Sequence, residues 1–293
     1  VFLSQELAQT ELRKLGGSRE SRSARMITVS SDVPSFLQPD AIHDDDGPLG
    51  REETEWFREE RDELHLRSGM MYKGQWLKDQ PDGEGVQTFP DGGTYRGEFS
   101  KGRADGLGTF EYANGSVYIG PWQADMAHGD GFCTLTDGSI YKGQWDCGKQ
   151  HGQGILTLAD GTTFDGQYVE GCRSGKGEVV CRGAKQGTIY KGEFAKDKFH
   201  GHGVYKWADG RTYDGQWKDS KMHGEGVFTY VDGRRYSGQY VEDERNGIGT
   251  YSWPDGRFYT GGVLQGRQHG SGSFTDCRGN IRESQWKHGK RIL

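Results

Sequence analysis

From residue 72 onward the chain alternates apolar and polar residues with period two, and the alternation restarts about every 23 residues. In residues 141–161, "YKGQWDCGKQHGQGILTLADG", Tyr141, Gly143 and Trp145 fall on one face and Lys142 and Gln144 on the other. Gly152, Gly154, Leu156 and Leu158 then share a face again. A period of two signals strands. The same opening stands at Tyr72, Tyr95, Tyr118, Phe164, Tyr190, Tyr213 and Tyr236. Tyr259 opens a ninth copy without its second aromatic, and residues 282–286 look like a decayed tenth. Such a period decides the fold before any other feature is read.

Each copy continues to a Gly-x-Gly, as at Gly83/Gly85, Gly152/Gly154 and Gly247/Gly249, and most end on Asp-Gly or Asn-Gly. The pattern predicts one hairpin per repeat, with Asp-Gly supplying the positive-φ turn to the next. The expected fold is an all-β repeat array, a single-layer twisted antiparallel sheet with an aromatic and glycine face opposite a polar one. Glycine weakens a strand unless something needs the space, so the rings are expected over the glycines. The expected register pairs Trp145 with Gly154 and Gly143 with Leu156. Two strands per repeat advance a sheet by roughly 10 Å, so nine repeats reach on the order of 90 Å, a rod or curved trough. Between Phe164 and Tyr190 the step is longer, and residues 181–187, "CRGAKQG", replace Asp-Gly. A longer turn or bulge is expected there.

The first 71 residues read differently. Residues 1–50 form an extended or partly disordered leader, rich in serine, proline and acid, with a short helix candidate at 4–15. Residues 51–67, "REETEWFREERDELHLR", predict a helix that caps the open edge of an array spanning 72–286, followed by a tail at 287–293. The chain has 293 residues, 49 glycines and 32% hydrophobic residues, too few apolar groups for a thick core but enough for a thin array. Residues 1–71 hold 9 basic and 15 acidic residues, while the other 28 and 28 cancel. That balance argues against a nucleic-acid partner, which asks for a basic surplus. No apolar run approaches the roughly 20 residues of a bilayer span. Five cysteines without C-x-x-C spacing read as reduced thiols in an intracellular, cytoplasmic or cytoskeletal setting. The chain starts at Val1, which leaves organellar targeting open.

The histidines preceding the second glycine pair, His128, His151, His200, His223 and His269, resemble a metal row. Equivalent positions stand roughly 10 Å apart, whereas zinc needs each nitrogen at about 2 Å. The same spacing separates Asp137, Asp160, Asp209, Asp232 and Asp255, too far for a carboxylate pair about 5 Å apart. His200 and His202 in "FHGHG" are the one local metal hint. Residues 171–178, "GCRSGKGE", lack the P-loop spacing and its Ser/Thr, and G-x-S-x-G does not occur. No catalytic residue, cofactor or metal is expected.

Tyr-x-Gly-x-Trp, then His-Gly-x-Gly and a closing Asp-Gly at 23-residue steps, resembles the MORN repeat (membrane occupation and recognition nexus), with nine copies and a partial tenth. The resemblance implies stacked hairpins serving as a binding or assembly module, as in ciliary radial-spoke and cytoskeletal scaffold proteins. The expectation is a non-enzymatic scaffold subunit of a large complex, a ciliary axoneme, radial spoke or cortical cytoskeleton. A partner helix or extended segment would lie on Trp76, Phe89, Phe99, Tyr112, Trp122, Trp145, Phe194, Trp207, Trp217, Tyr230, Tyr240 and Trp253. The alternatives are a peripheral adaptor on anionic lipid or an accessory subunit of an organellar complex. A polybasic surface gains on the order of 1 kcal/mol per cation at such a membrane, and the zero balance of the array does not favour it. End-to-end self-association stays open.

Overall fold

The computed structural model describes residues 57–66 and 69–292. The leader and its helix candidate lie outside them. The described residues fall into two compact units, divided between Ala159 and Asp160. In the first, β1 (Glu59–His65), β2 (Met71–Leu77), β3 (Gln80–Thr88), β4 (Thr94–Ser100), β5 (Arg103–Glu111), β6 (Val117–Gln123), β7 (Met126–Ala127), β8 (Gly129–Thr134), β9 (Ile140–Asp146) and β10 (Lys149–Thr157) follow in order. The second holds β11 (Thr163–Val169), β12 (Cys172–Val180), β13 (Ile189–Ala195), β14 (Lys198–Lys206), β15 (Thr212–Lys218), β16 (Lys221–Thr229), β17 (Arg235–Val241), β18 (Glu244–Ser252), β19 (Phe258–Leu264), β20 (Arg267–Thr275), β21 (Ile281–Lys287) and β22 (Lys290–Arg291). Within each unit strands pair antiparallel with their neighbours in sequence, giving the expected open all-β hairpin array.

Two kinds of turn hold the hairpins. Inside a repeat, a two-residue turn places both residues at positive φ, as at Cys147 (48°) and Gly148 (75°) or Lys196 (49°) and Asp197 (68°). This twist matches that of paired strands. Between repeats the Asp-Gly turn works as expected. Gly138 takes φ 84°, and the Asp137 carboxylate accepts the Ser139 amide at 2.8 Å. The same aspartate-to-amide bond recurs from Asp91, Asp160, Asp209, Asp232, Asp255 and Asp276, so the aspartate ladder consists of turn formers. The longer segment at 181–187 makes a single 3-10 turn, Gly183–Lys185, closed by the Cys181 amide on the Thr188 carbonyl at 2.9 Å.

The register differs from expectation by two residues. Gly143 faces Gly154, Tyr141 faces Leu156 and Trp145 faces Gln150. The cause is the tight two-residue turn at Cys147 and Gly148, which would set Gly143 opposite Gly152, and a bulge at Gly152, φ 59°, with two extra residues on β10 recovers only part of the difference. Glycine therefore sits beside glycine, and the Tyr141 ring lies over both. A methyl group built on Gly154 would fall 2.6 Å from Cε2 of that ring, and one on Gly143 would fall 2.6 Å from the Gln153 carbonyl.

Residues 59–65 correct the helix expected over 51–67. They form β1, paired with β2 from Glu59 opposite Trp76 to His65 opposite Met71. Phe57 and Leu64, one heptad apart and so on one side of such a helix, stay 76% and 41% exposed. A helix here would have little to bury, while the outer edge of β2 offers a row of unpaired backbone groups. Arg61 reinforces the strand by ion-pairing with Asp79 at 2.9 Å and lying 4.9 Å over the Trp76 ring.

Candidate interaction surface

The aromatic face is built from the backbone outward. The first tyrosine of a repeat lies flat over its glycines and donates its hydroxyl to the carbonyl three residues on, as in Tyr72 to Gln75 (2.9 Å), Tyr141 to Gln144 (3.0 Å) and Tyr213 to Gln216 (2.9 Å). The residue supplying that carbonyl turns its side chain the other way. Gln144 Oε1 accepts the Gln153 amide at 2.9 Å across the bulge, and Gln75, Glu98, Gln167, Glu193, Gln216 and Gln239 repeat the bond. The second aromatic stands edge-on to the tyrosine, Tyr141 to Trp145 at 5.2 Å and 88°, and to the tyrosine of the preceding repeat, Tyr118 to Trp145 at 5.1 Å and 82°. Edge-to-face contacts at these distances are favourable beyond burial alone.

This layer covers itself. Of the twelve rings expected to hold a partner, Trp76, Phe99, Trp122, Trp145, Phe194, Trp207, Trp217 and Tyr240 are buried. Phe89, Tyr112, Tyr230 and Trp253 are partly exposed. The first eight serve as the core of a sheet that has no second layer. Burial raises the phenol of Tyr72 to about 12 and pushes those of Tyr95, Tyr141 and Tyr213 higher. It also raises the Cys133 thiol to about 11, away from thiolate reactivity. The five cysteines form no disulfide among the described residues.

The opposite face carries what the sequence pattern called polar. In the first unit a cross-strand row runs Lys73, Val86, Arg96, Thr109, Ile119, Phe132, Lys142, Ile155, each paired with the next. Ile119, Phe132 and Ile155 are 50%, 37% and 44% exposed, and Leu107 beside them is 63% exposed. A parallel row carries the acids Glu84, Glu98 and Asp130. The equivalent row of the second unit runs Asp165, Glu178, Lys191, Val204, Asp214, Val227, Ser237, Thr250 and so is mainly acidic and hydroxylic. Sequence alternation had flagged neither row, because each repeat contributes only one or two of these residues and the register joins them.

The histidines form no metal row. His128 lies 3.5 Å from Asp146 and His202 3.2 Å from Asp214, each a single pair. Among the described residues no three His, Cys, Asp or Glu side chains gather as a metal would require. No described helix is long and apolar enough to cross a membrane.

This geometry defines a hairpin-repeat array whose rings seal its own inner face. The MORN repeat model matches residues 72–94, 95–117, 118–140, 141–163, 190–210, 213–234, 236–256 and 259–281. These eight matches cover more than half of the chain, which belongs to the MORN-repeat family. Among solved structures, the TCP10 domain of Danio rerio CPAP, in complex with a peptide of STIL, is similar at 14% identity and a TM-score of 0.43, over 81% of this chain and 98% of that one. The TCP domain of Drosophila melanogaster SAS-4, with a proline-rich motif of Ana2, is similar at 13% identity and a TM-score of 0.32, over 66% of this chain and 96% of that one. Comparison with curated proteins gives no match.

Proposed function

We propose that this chain is a non-enzymatic scaffold that binds a segment of a protein partner and takes part in a larger assembly. The observation that carries the reading is the stripe of Leu107, Ile119 and Phe132, exposed on the adjacent strands β5, β6 and β8, with Ile155 beyond Lys142, on a sheet whose other face is already closed. The stripe does nothing for the fold, and contiguous exposed apolar surface marks interaction sites. Lys73, Arg96 and Lys142 stand in the same row as Ile119 and Phe132, and Glu84, Glu98 and Asp130 in the parallel row, so polar neighbours of both signs surround it. The docking surface thereby moves from the sealed aromatic trough to the outer face. Phe89, Tyr112, Tyr230 and Trp253 are the only expected rings that a partner reaches without opening the core. The family resemblance points the assembly toward a ciliary axoneme or the cortical cytoskeleton.

The hairpin of β11 and β12 counts, on this reading, as a divergent repeat. It keeps Phe164 over Gly166 and Gly177, and the bond from Gln167 to the Lys176 amide at 2.9 Å. Residues 282–286 count, on the same reading, as a partial tenth copy.

The test is crosslinking mass spectrometry on the native protein recovered at high salt, beside the double variant Ile119→Glu, Phe132→Glu. We expect Lys73 and Lys142 to crosslink to one recurring segment of another protein, and the variant to lose it while keeping its circular dichroism. Retention of the same partner by the variant would refute the outer-face site. Salt-sensitive sedimentation with anionic vesicles and no retained protein would replace the scaffold with a membrane adaptor.

A further inference from the structure

Two arginines occupy equivalent places in the second unit and are treated differently. Arg173 faces Tyr168 across the base of its hairpin, and Arg245 faces Tyr240. Both accept, on their backbone carbonyls, an amide from the turn of the following repeat, Asp197 for Arg173 at 3.0 Å and Gly266 for Arg245 at 2.9 Å. Asp197 answers its arginine with a carboxylate, 3.1 Å from Nε. Gly266 has none to give.

Arg245 is the more deeply placed of the pair, at 6% exposure. Its guanidinium stands 5.0 Å from the Tyr236 ring centre and 5.4 Å from those of Tyr230 and Phe228. One Nη donates to the Tyr230 hydroxyl, while the buried Nε has no partner. A buried cation is costly unless paired, and ring faces with the neutral phenols of Tyr230, Tyr240 and Tyr251 are weak substitutes for a carboxylate.

Arg245 also lines a cavity of about 500 Å³, within the range of small-molecule sites. Arg234, Arg235, Arg267, His288 and Lys290 share the wall, and among the described residues no acid lines it. Asp232 engages Arg234 from outside, at 2.7 Å. Tyr251 and Trp253 add apolar surface, with the Tyr251 hydroxyl donated to the Gly266 carbonyl at 2.8 Å. The guanidinium fork matches phosphate oxygens, and several cations around one cavity select a ligand of more than one charge.

We propose that this cavity is a binding site for a polyphosphorylated small molecule or headgroup, with a phosphate taking the place beside Arg245 that the Asp197 carboxylate takes beside Arg173. It is independent of the outer-face stripe, which lies in the other unit.

Gly266→Asp tests it directly. Asp79, Asp125, Asp197 and Asp243 already occupy the same turn position at positive φ, so the fold accepts the substitution, and the new carboxylate would fill the anion place from within. Calorimetric titration of the full chain with inorganic pyrophosphate and with ATP is expected to show saturable binding. Gly266→Asp is expected to weaken it by on the order of tenfold or more, the loss of one charge-assisted contact. The surface pair Arg267→Ala, Lys290→Ala is expected to weaken it in the same direction. Binding confined to vesicles doped with a phosphoinositide, and lost in Gly266→Asp, would support the site and name a lipid headgroup as its source. Absence of binding to all three probes, or binding unchanged by Gly266→Asp, would overturn it.

Discussion

The two units share a frame of tyrosine over glycine and fill the space beside it differently. At the base of each hairpin in the first unit, Trp76 faces Pro81, Phe99 faces Ala104, Trp122 faces Ala127 and Trp145 faces Gln150. In the second, Tyr168 faces Arg173, Phe194 faces Phe199, Trp217 faces Met222 and Tyr240 faces Arg245. Proline, alanine or glutamine opposite the ring gives way to arginine, phenylalanine or methionine. The first unit thereby keeps an inner face with little charge, and its options for binding lie outside. The second carries cations into its layer and so acquires a cavity.

The largest expected effect tests what the units share. Buried phenols titrate above their unfolded value of about 10, Tyr72 near 12 and Tyr95, Tyr141 and Tyr213 above that, in both units. A raised folded value means the folded chain holds these protons longer. The stabilisation is therefore whole below about pH 10 and is lost as pH climbs through 12. Phenolate absorbance near 295 nm and loss of the β-sheet dichroism are expected to rise together. Phenols that ionise near pH 10 with the sheet intact would contradict the burial.

Next in size, Gly154→Ala in the first unit and Gly226→Ala in the second each drive a methyl into a tyrosine ring, about 2.6 Å from ring carbons of Tyr141 and Tyr213. Each is expected to cost about 3 kcal/mol, read by urea denaturation. Equal losses would confirm the common frame, and a mild effect in one unit would show that its ring can move aside.

The smallest effect separates the two arginines. Arg173→Met leaves the Asp197 carboxylate without its partner. Both side chains are partly solvated, 23% and 36% exposed, so the loss is expected near 1 kcal/mol. Arg245→Met replaces a buried cation that has no carboxylate, and stability should stay level or rise. A marked loss in Arg245→Met would mean that the rings and the Tyr230 hydroxyl satisfy the charge unaided, and would weaken the case for an external anion.

Most of the frame was legible in the residues, because alternation and a fixed step are properties of single repeats. Hairpins, the polar alternate face, the Asp-Gly turns and the placement of rings over glycines all follow from it. What escaped depends on pairing. The bulge at Gly152 shifts the register by two, and only then does Gln144 acquire its role as acceptor for the Gln153 amide. The glutamine or glutamate at that place in seven repeats was the available signal. Residues 59–65 carry helix-forming glutamates, yet the free edge of β2 overrode local preference. The rings appeared as a binding trough because strand alternation tells which face a side chain takes, and says nothing of whether neighbouring rings close that face.

The stacking of turns has a mechanical meaning. Gly148 donates to the Ala127 carbonyl at 3.0 Å, and Ser220 to that of Phe199 at 2.9 Å, so within a unit neighbouring repeats are tied at their tips as well as along their strands. Among the described residues no strand pairing skips a repeat within a unit. Tension applied across the stack would therefore load one hairpin at a time, and each would peel away before the next began to yield. Such a unit gives length under load in small equal instalments while the repeats still in place keep their pairing, a compliance that a closed barrel, with its first and last strands joined, does not have.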